Sequence, residues 1–148
     1  MTRRTITLLM AALICCAASP AFCGDREVRP VTLNLAALEH ARELIKQGHA
    51  IADGKGLWSE HQLSAEEENE FIRLHGFAEY EKWHLGIDDR YAENTKRRYK
   101  FPYGDFKNVH RCALLAAKSR AAEYKYADIE KAAAELQRTT EMQRNAHP

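Results

Sequence analysis

KRRYKFPYGDFKNVHR, residues 96–111, cannot be one continuous helix, and the rest of the chain is read outward from that break. Pro102 has no amide hydrogen and a fixed φ, so a helix stops before it. Gly104 then gives the backbone freedom and Asp105 a capping side chain, which makes Pro-Tyr-Gly-Asp a turn with a mechanism. Its upstream neighbour, LHGFAEYEKWHLGIDDRY at residues 74–91, has the same texture. Between them the two stretches hold most of the aromatic residues and the densest mixture of His, Asp, Arg and Tyr.

On either side the pattern is helical. Asn34 or Thr32 caps a predicted helix to about residue 53, with Leu35, Leu38, Ala41, Leu44, Ile45 and Ile51 at helical spacing. Gly48 sits inside it at a cost of about 1 kcal/mol relative to Ala, and Gly54 with Gly56 ends it. Ser64 and Glu67 form an S-x-x-E capping box ahead of a helix with Phe71, Ile72 and Leu74 on its buried side and a stop at Gly76. Residues 77–85 read both ways: Ala78, Glu79, Glu81 and Lys82 favour helix, whereas Trp83, Leu85 and Ile87 alternate as a strand would. A short helical turn is expected from Asp88 or Asp89 to Thr95. Asp105 is expected to cap the clearest helix, with Phe106, Val109, Ala113, Ala116, Ala117 and Ala121 on one face and Cys112 and Leu115 at its edge. A last helix, about residues 127–142, turns Ile129, Ala132, Ala133 and Leu136 inward. The expected fold is all-α: a small single-domain bundle of four or five helices, with an irregular aromatic segment that leaves room for a very short two-stranded element.

The 148 residues carry 22 basic and 21 acidic side chains, enough chain for one domain with one modest core. Residues 1–23 begin with Arg3 and Arg4, continue through an apolar run from Ile6 to Ala18 and end in small residues, the pattern of a secretory signal peptide. The run is shorter than the roughly 20 residues that a membrane span needs, and no second long apolar run follows, so no span is expected in the mature chain. Cleavage fits after Ala21 or after Cys23; lipidation of Cys23 is disfavoured by the bulky Phe22 before it. Without Arg3 and Arg4 the basic count falls to 20 against 21 acidic residues, which disfavours a general nucleic-acid binder. Cys15 and Cys16 leave with the signal, and Cys23 with Cys112 cannot form a disulfide framework. The expected layout is a signal peptide at 1–23, a polar connector at 24–32, a helical domain at 33–142 and a frayed tail at 143–148, in a protein that is periplasmic or secreted.

No HExxH, CxxC or G-x-S-x-G occurs, and neither composition nor motif specifies a cofactor. Seven histidines nevertheless raise metal binding. His84 and Asp88 have the i, i+4 spacing of helical ligands, with Gly86 between them, and a site assembled across the fold from His61, His84, Asp88 and His110 is the metal reading. His110 and Cys112, two apart on the expected helix, would point to different sides. Cys112 reads as a small core hydrophobe rather than a nucleophile. The basic run Lys96, Arg97, Arg98, Lys100, Lys107 and Arg111, interleaved with aromatics, suits a small anionic ligand, and the placement of His110 and Arg111 early in their helix favours an anion there.

The runs HGFAEYEKWHLGID and RYKFPYGDFKNVHR resemble those of a group of small bacterial helical proteins to which no activity is attached. The resemblance spans roughly residues 58–136 and implies a folded domain, without assigning a functional residue. The leading functional expectation is an exported, non-enzymatic binding or interaction module, its partner a protein or a small anionic ligand, with a surface made of Trp58, His61, Trp83, His84, Arg98, Tyr103, His110 and Arg111. The alternatives are a metal-binding periplasmic protein and a small enzyme acting on an anionic substrate, with His84 or His110 as base.

Overall fold

The structure is a computed structural model and describes residues 30–146; the expected signal peptide, residues 24–29 of the connector and the last two residues of the tail lie outside them. Asn34 shows how the fold closes. Its side-chain oxygen accepts the Ala37 amide and so caps α1 (Leu35–Lys46), while its amide nitrogen donates to the carbonyls of Glu81 (3.0 Å) and His84 (3.1 Å). One buried residue thus starts a helix and ties it to a segment fifty residues away.

That segment is a strand, and the all-α expectation is overturned. β1 (Val31–Leu33) pairs antiparallel with β3 (His84–Asp88), which pairs antiparallel with β4 (Tyr99–Pro102). A second, parallel pair joins β2 (Ala50–Ile51) to β5 (Val109–His110). The fold is mixed α/β. Pro102 fits because β4 is an edge strand, where a missing amide costs no ladder bond. β3 is buried on nearly its whole length. A methyl group on Gly86 at its centre would lie 2.8 Å from the Phe101 ring and 2.9 Å from Val31, so the close approach of neighbouring side chains demands glycine.

Three helix expectations change with the strands. α1 stops at Lys46 because Gly48, at φ +86°, terminates it: Gly48 N–H donates to the Ile45 carbonyl (2.9 Å) and His49 N–H to that of Leu44 (2.8 Å), a Schellman cap that frees residues 50–51 to become β2. The helix expected from Asp105 starts instead as α5 at Arg111 and runs to Glu123. Asp105 caps a turn, its Oδ1 accepting the amides of Lys107 (2.9 Å) and Asn108 (2.6 Å). Phe106 sits at φ +66° and Val109 N–H bonds the His49 carbonyl, so strand pairing overrides local helical preference. Residues 89–95 form turns rather than a helix.

The remaining α-helices are α2 (Trp58–His61), α3 (Ala65–His75), α4 (Phe77–Glu81) and α6 (Ala127–Ala146), and Lys96–Arg98 form a single 3-10 turn before β4. The Ser64 capping box forms and Gly76 ends α3, but Leu74 faces solvent. α6 extends past the expected end and occupies the centre, touching α5, α1, β1 and β3. Ala117 and Ala121 of α5 and Ala132 and Ala133 of α6 are buried together in the core, where small side chains allow close backbone approach. Among the described residues, no helix is long and apolar enough to cross a membrane.

The aromatic stretch contributes Trp83 and Tyr103 to the same core, with Phe101 and Phe106 packed against it. Tyr103 is fully buried, stacks on Trp83, and donates its hydroxyl to the Lys82 carbonyl (2.6 Å) while His40 Nδ1 lies 2.9 Å away. Replacing Tyr103 with Phe leaves that carbonyl without its donor and is expected to cost about 1–3 kcal/mol, read as a lower urea midpoint at unchanged slope.

Candidate metal centre

The parallel register of β2 and β5 sets Ile51 against His110. Two residues further along each chain come Asp53 and Cys112, so the pairing brings both to one level. His110 is the N-cap residue of α5 but gives no side-chain cap. Asp53 replaces it from across the pairing: its Oδ1 accepts the Cys112 amide at 2.6 Å, satisfying one of the donors left open in a first helical turn. Arg111 holds the same junction, donating Nη1 to the Asp53 carbonyl (3.3 Å) and Nε to Glu141 (2.9 Å) on α6.

The other carboxylate oxygen collects side chains. Oδ2 of Asp53 lies 2.7 Å from His110 Nδ1, 2.8 Å from His61 Nδ1 and 3.0 Å from Cys112 Sγ. Cys112 Sγ is 3.6 Å from His61 Nδ1. His61 comes from the far end of α2, a four-residue helix with no buried residue. Four potential ligand atoms, one each from Asp53, His61, His110 and Cys112, lie within 4.8 Å of one another. The His61 side chain is 32% exposed, whereas those of Asp53 and His110 are 6% exposed and Cys112 is buried, so His61 is the most open member of the cluster.

Burial acts to raise the pKa of Asp53, but the hydrogen bonds from Cys112, His110 and His61 outweigh it and hold the carboxyl at about 2. Burial, and then the adjacent Asp53 carboxylate, push the Cys112 thiol up to about 12. A catalytic cysteine needs the opposite shift. In a Cys-His-acid triad, moreover, the acid holds the far nitrogen of the imidazole, whereas here it contacts the same Nδ1 that faces the sulfur. The geometry does not make a nucleophile. It makes a mixed N, O and S donor set.

Of the residues expected to form a metal site, only His61 and His110 converge. His84 is buried, its Nδ1 donates to the Tyr80 carbonyl (3.0 Å), and burial lowers it to about 4, which keeps it neutral. Asp88 is buried and takes a two-pronged hydrogen bond from Arg90 (2.8 and 2.7 Å). The expected interaction surface does not form either: Trp83, His84 and Tyr103 are core, and Arg98 pairs with Asp89 at 2.8 Å. Trp58 alone of its aromatics is partly open, its ring 6.2 Å from that of His110. Asp53 and Cys112 were not expected as ligands, Cys112 having been read as core.

Fold and site together define a small α/β domain with a four-donor cluster at a strand-to-helix junction. Comparison with protein-family profiles, with curated proteins and with solved structures gives no match, so the functional reading rests on geometry.

Because the folded Asp53 carboxyl is held at about 2 against an ordinary 3.8, its stabilising effect is present above pH 4 and disappears as the pH falls towards 2. Asp53→Asn, measured in chelator, is expected to lower stability at neutral pH by about 2 kcal/mol and to flatten the acid limb of the stability profile between those two pH values.

Proposed function

We propose that this protein is an exported metal-binding protein that holds one divalent ion of the zinc class through Asp53, His61, His110 and Cys112. The observation that carries the reading is the crowding of three would-be donors on one carboxylate oxygen, at 2.7, 2.8 and 3.0 Å. Hydrogen bonding alone gives little reason to aim two imidazole nitrogens and a thiol at a single oxygen. A tetrahedral ion with bonds of about 2.0 Å to N and O and about 2.3 Å to S gives each of the four a role.

The donor chemistry narrows the ion. Thiolate and imidazole favour zinc-like metals over magnesium or calcium, which take oxygen ligands. Four protein donors fill a tetrahedron and leave no position for a reacting water, so the centre suits holding an ion rather than hydrolysis. This reading corresponds to the alternative raised from the sequence, a metal-binding periplasmic protein, rather than to the leading expectation of a partner-binding module. The export pattern of residues 1–23 supports a location outside the cytoplasm. Binding would also fix α2, which contributes no buried residue of its own, to the junction of β5 and α5.

The test is metal loading of the chain from Gly24 onward. One zinc per chain is expected to survive dialysis. Cobalt in its place should give a thiolate charge-transfer band that Cys112→Ser abolishes, while His75→Ala, an exposed site outside the cluster, retains it. Zinc at 100 times its Kd should add about 2.7 kcal/mol of stability, a rise in Tm on the order of 10 °C for a domain of this size. Absence of both retained metal and the charge-transfer band would sink the reading.

A further inference from the structure

His110 holds the one buried side-chain nitrogen or oxygen atom without a hydrogen-bond partner among the described residues, its Nε2. Buried polar atoms are nearly always satisfied, so an orphan calls for a cause. The atom is not isolated. It faces Asp105 Oδ2 at 3.3 Å, close enough for an ion pair yet out of line for a hydrogen bond. Asp105 is not free to swing, because its Oδ1 accepts the amides of Lys107 and Asn108.

His110 therefore stands between two carboxylates, Asp53 on Nδ1 at 2.7 Å and Asp105 on Nε2 at 3.3 Å. A neutral imidazole has a single N–H to offer them. If Nδ1 carries it, the Nε2 lone pair confronts the Asp105 carboxylate, which is repulsive. If Nδ1 gives its lone pair to a metal ion, the proton must sit on Nε2, and the carboxylate that this nitrogen faces is Asp105, at 3.3 Å. In the second arrangement a small rotation of the ring would bring that N–H into line with Asp105 and satisfy the orphan nitrogen. Histidines that bind metal characteristically donate their other ring N–H to such a partner, which fixes the tautomer and raises the basicity of the ligating nitrogen.

We propose that Asp105 is the positioning residue of the metal centre, holding His110 as the Nε2–H tautomer so that Nδ1 faces the ion; this rests on the metal reading above. The turn at residues 105–108 thereby acquires a second role. It both reverses the chain between β4 and β5 and orients a ligand.

Asp105→Asn tests the role cleanly. The Asn side-chain oxygen can still accept the Lys107 and Asn108 amides, while an amide NH₂ replaces the carboxylate oxygen that faces His110 and repels its N–H. Asp105→Ser is the second variant, retaining a turn acceptor too short to reach the ring. With zinc and a competing chromophoric chelator, both variants are expected to bind about 10- to 100-fold more weakly than the unaltered chain, with the Tm of the metal-free protein unchanged. In the zinc-loaded protein, the slowly exchanging ring N–H resonance of His110 should disappear in both. Unchanged zinc affinity in the variants, with the unaltered chain binding normally, would overturn the positioning role and leave the metal centre standing. Failure of the unaltered chain to bind zinc would remove both.

Discussion

The Asp53 carboxylate is the constraint on which the centre of this molecule depends. With one oxygen it caps α5 from another segment of the chain, and with the other it gathers His61, His110 and Cys112. Without it the first turn of α5 would lack a side-chain cap, since His110 provides none. The same geometry explains the chemistry. Burial, and then the carboxylate lodged beside it, push the Cys112 thiol up and disfavour the thiolate that a nucleophile needs.

The scaffold that carries this junction is ordinary in its parts. α5 and α6 pack through alanines, and α6 in turn supports α1 and the antiparallel sheet. The aromatic stretch, with Tyr103 stacked on Trp83, plugs the space that these helices leave. A methyl group on Gly104 would collide with the Asn108 carbonyl oxygen and stand 2.7 Å from the Trp83 ring. Glycine there lets the turn press against the core and carry Asp105 to His110.

Much of this was legible in the sequence and some was not, for definable reasons. The Ser64 capping box, the stop at Gly76 and the buried face of α6 depend on neighbours within a few residues, and they appear as read. The strands depend on partners far away. VTL and AI are too short to show a period, and HLGID, buried almost throughout, shows only a weak one. The misplaced start of α5 then hid the site. On a helix, His110 and Cys112 diverge; at the junction of a strand and a helix, they converge on one carboxylate. Asp53, placed at the end of an overlong first helix, could not be recognised as their partner.

The parallel pairing of β2 with β5 joins residues 57 and 59 positions apart at the cluster, whereas α5 and α6 meet across a single short turn at residues 124–126. Closing a long loop is entropically costly and unrewarded until its distant contacts form. The order of assembly therefore follows from topology: the alanine-lined helical hairpin can condense early, and the segment from β2 through α2 has to dock onto it late. The four donors are split across that boundary, with Asp53 and His61 on the late segment and His110 and Cys112 at the entrance to the early hairpin. In a folding chain the complete donor cluster marks the final closure, and an ion bound as proposed would act as a latch on that late step.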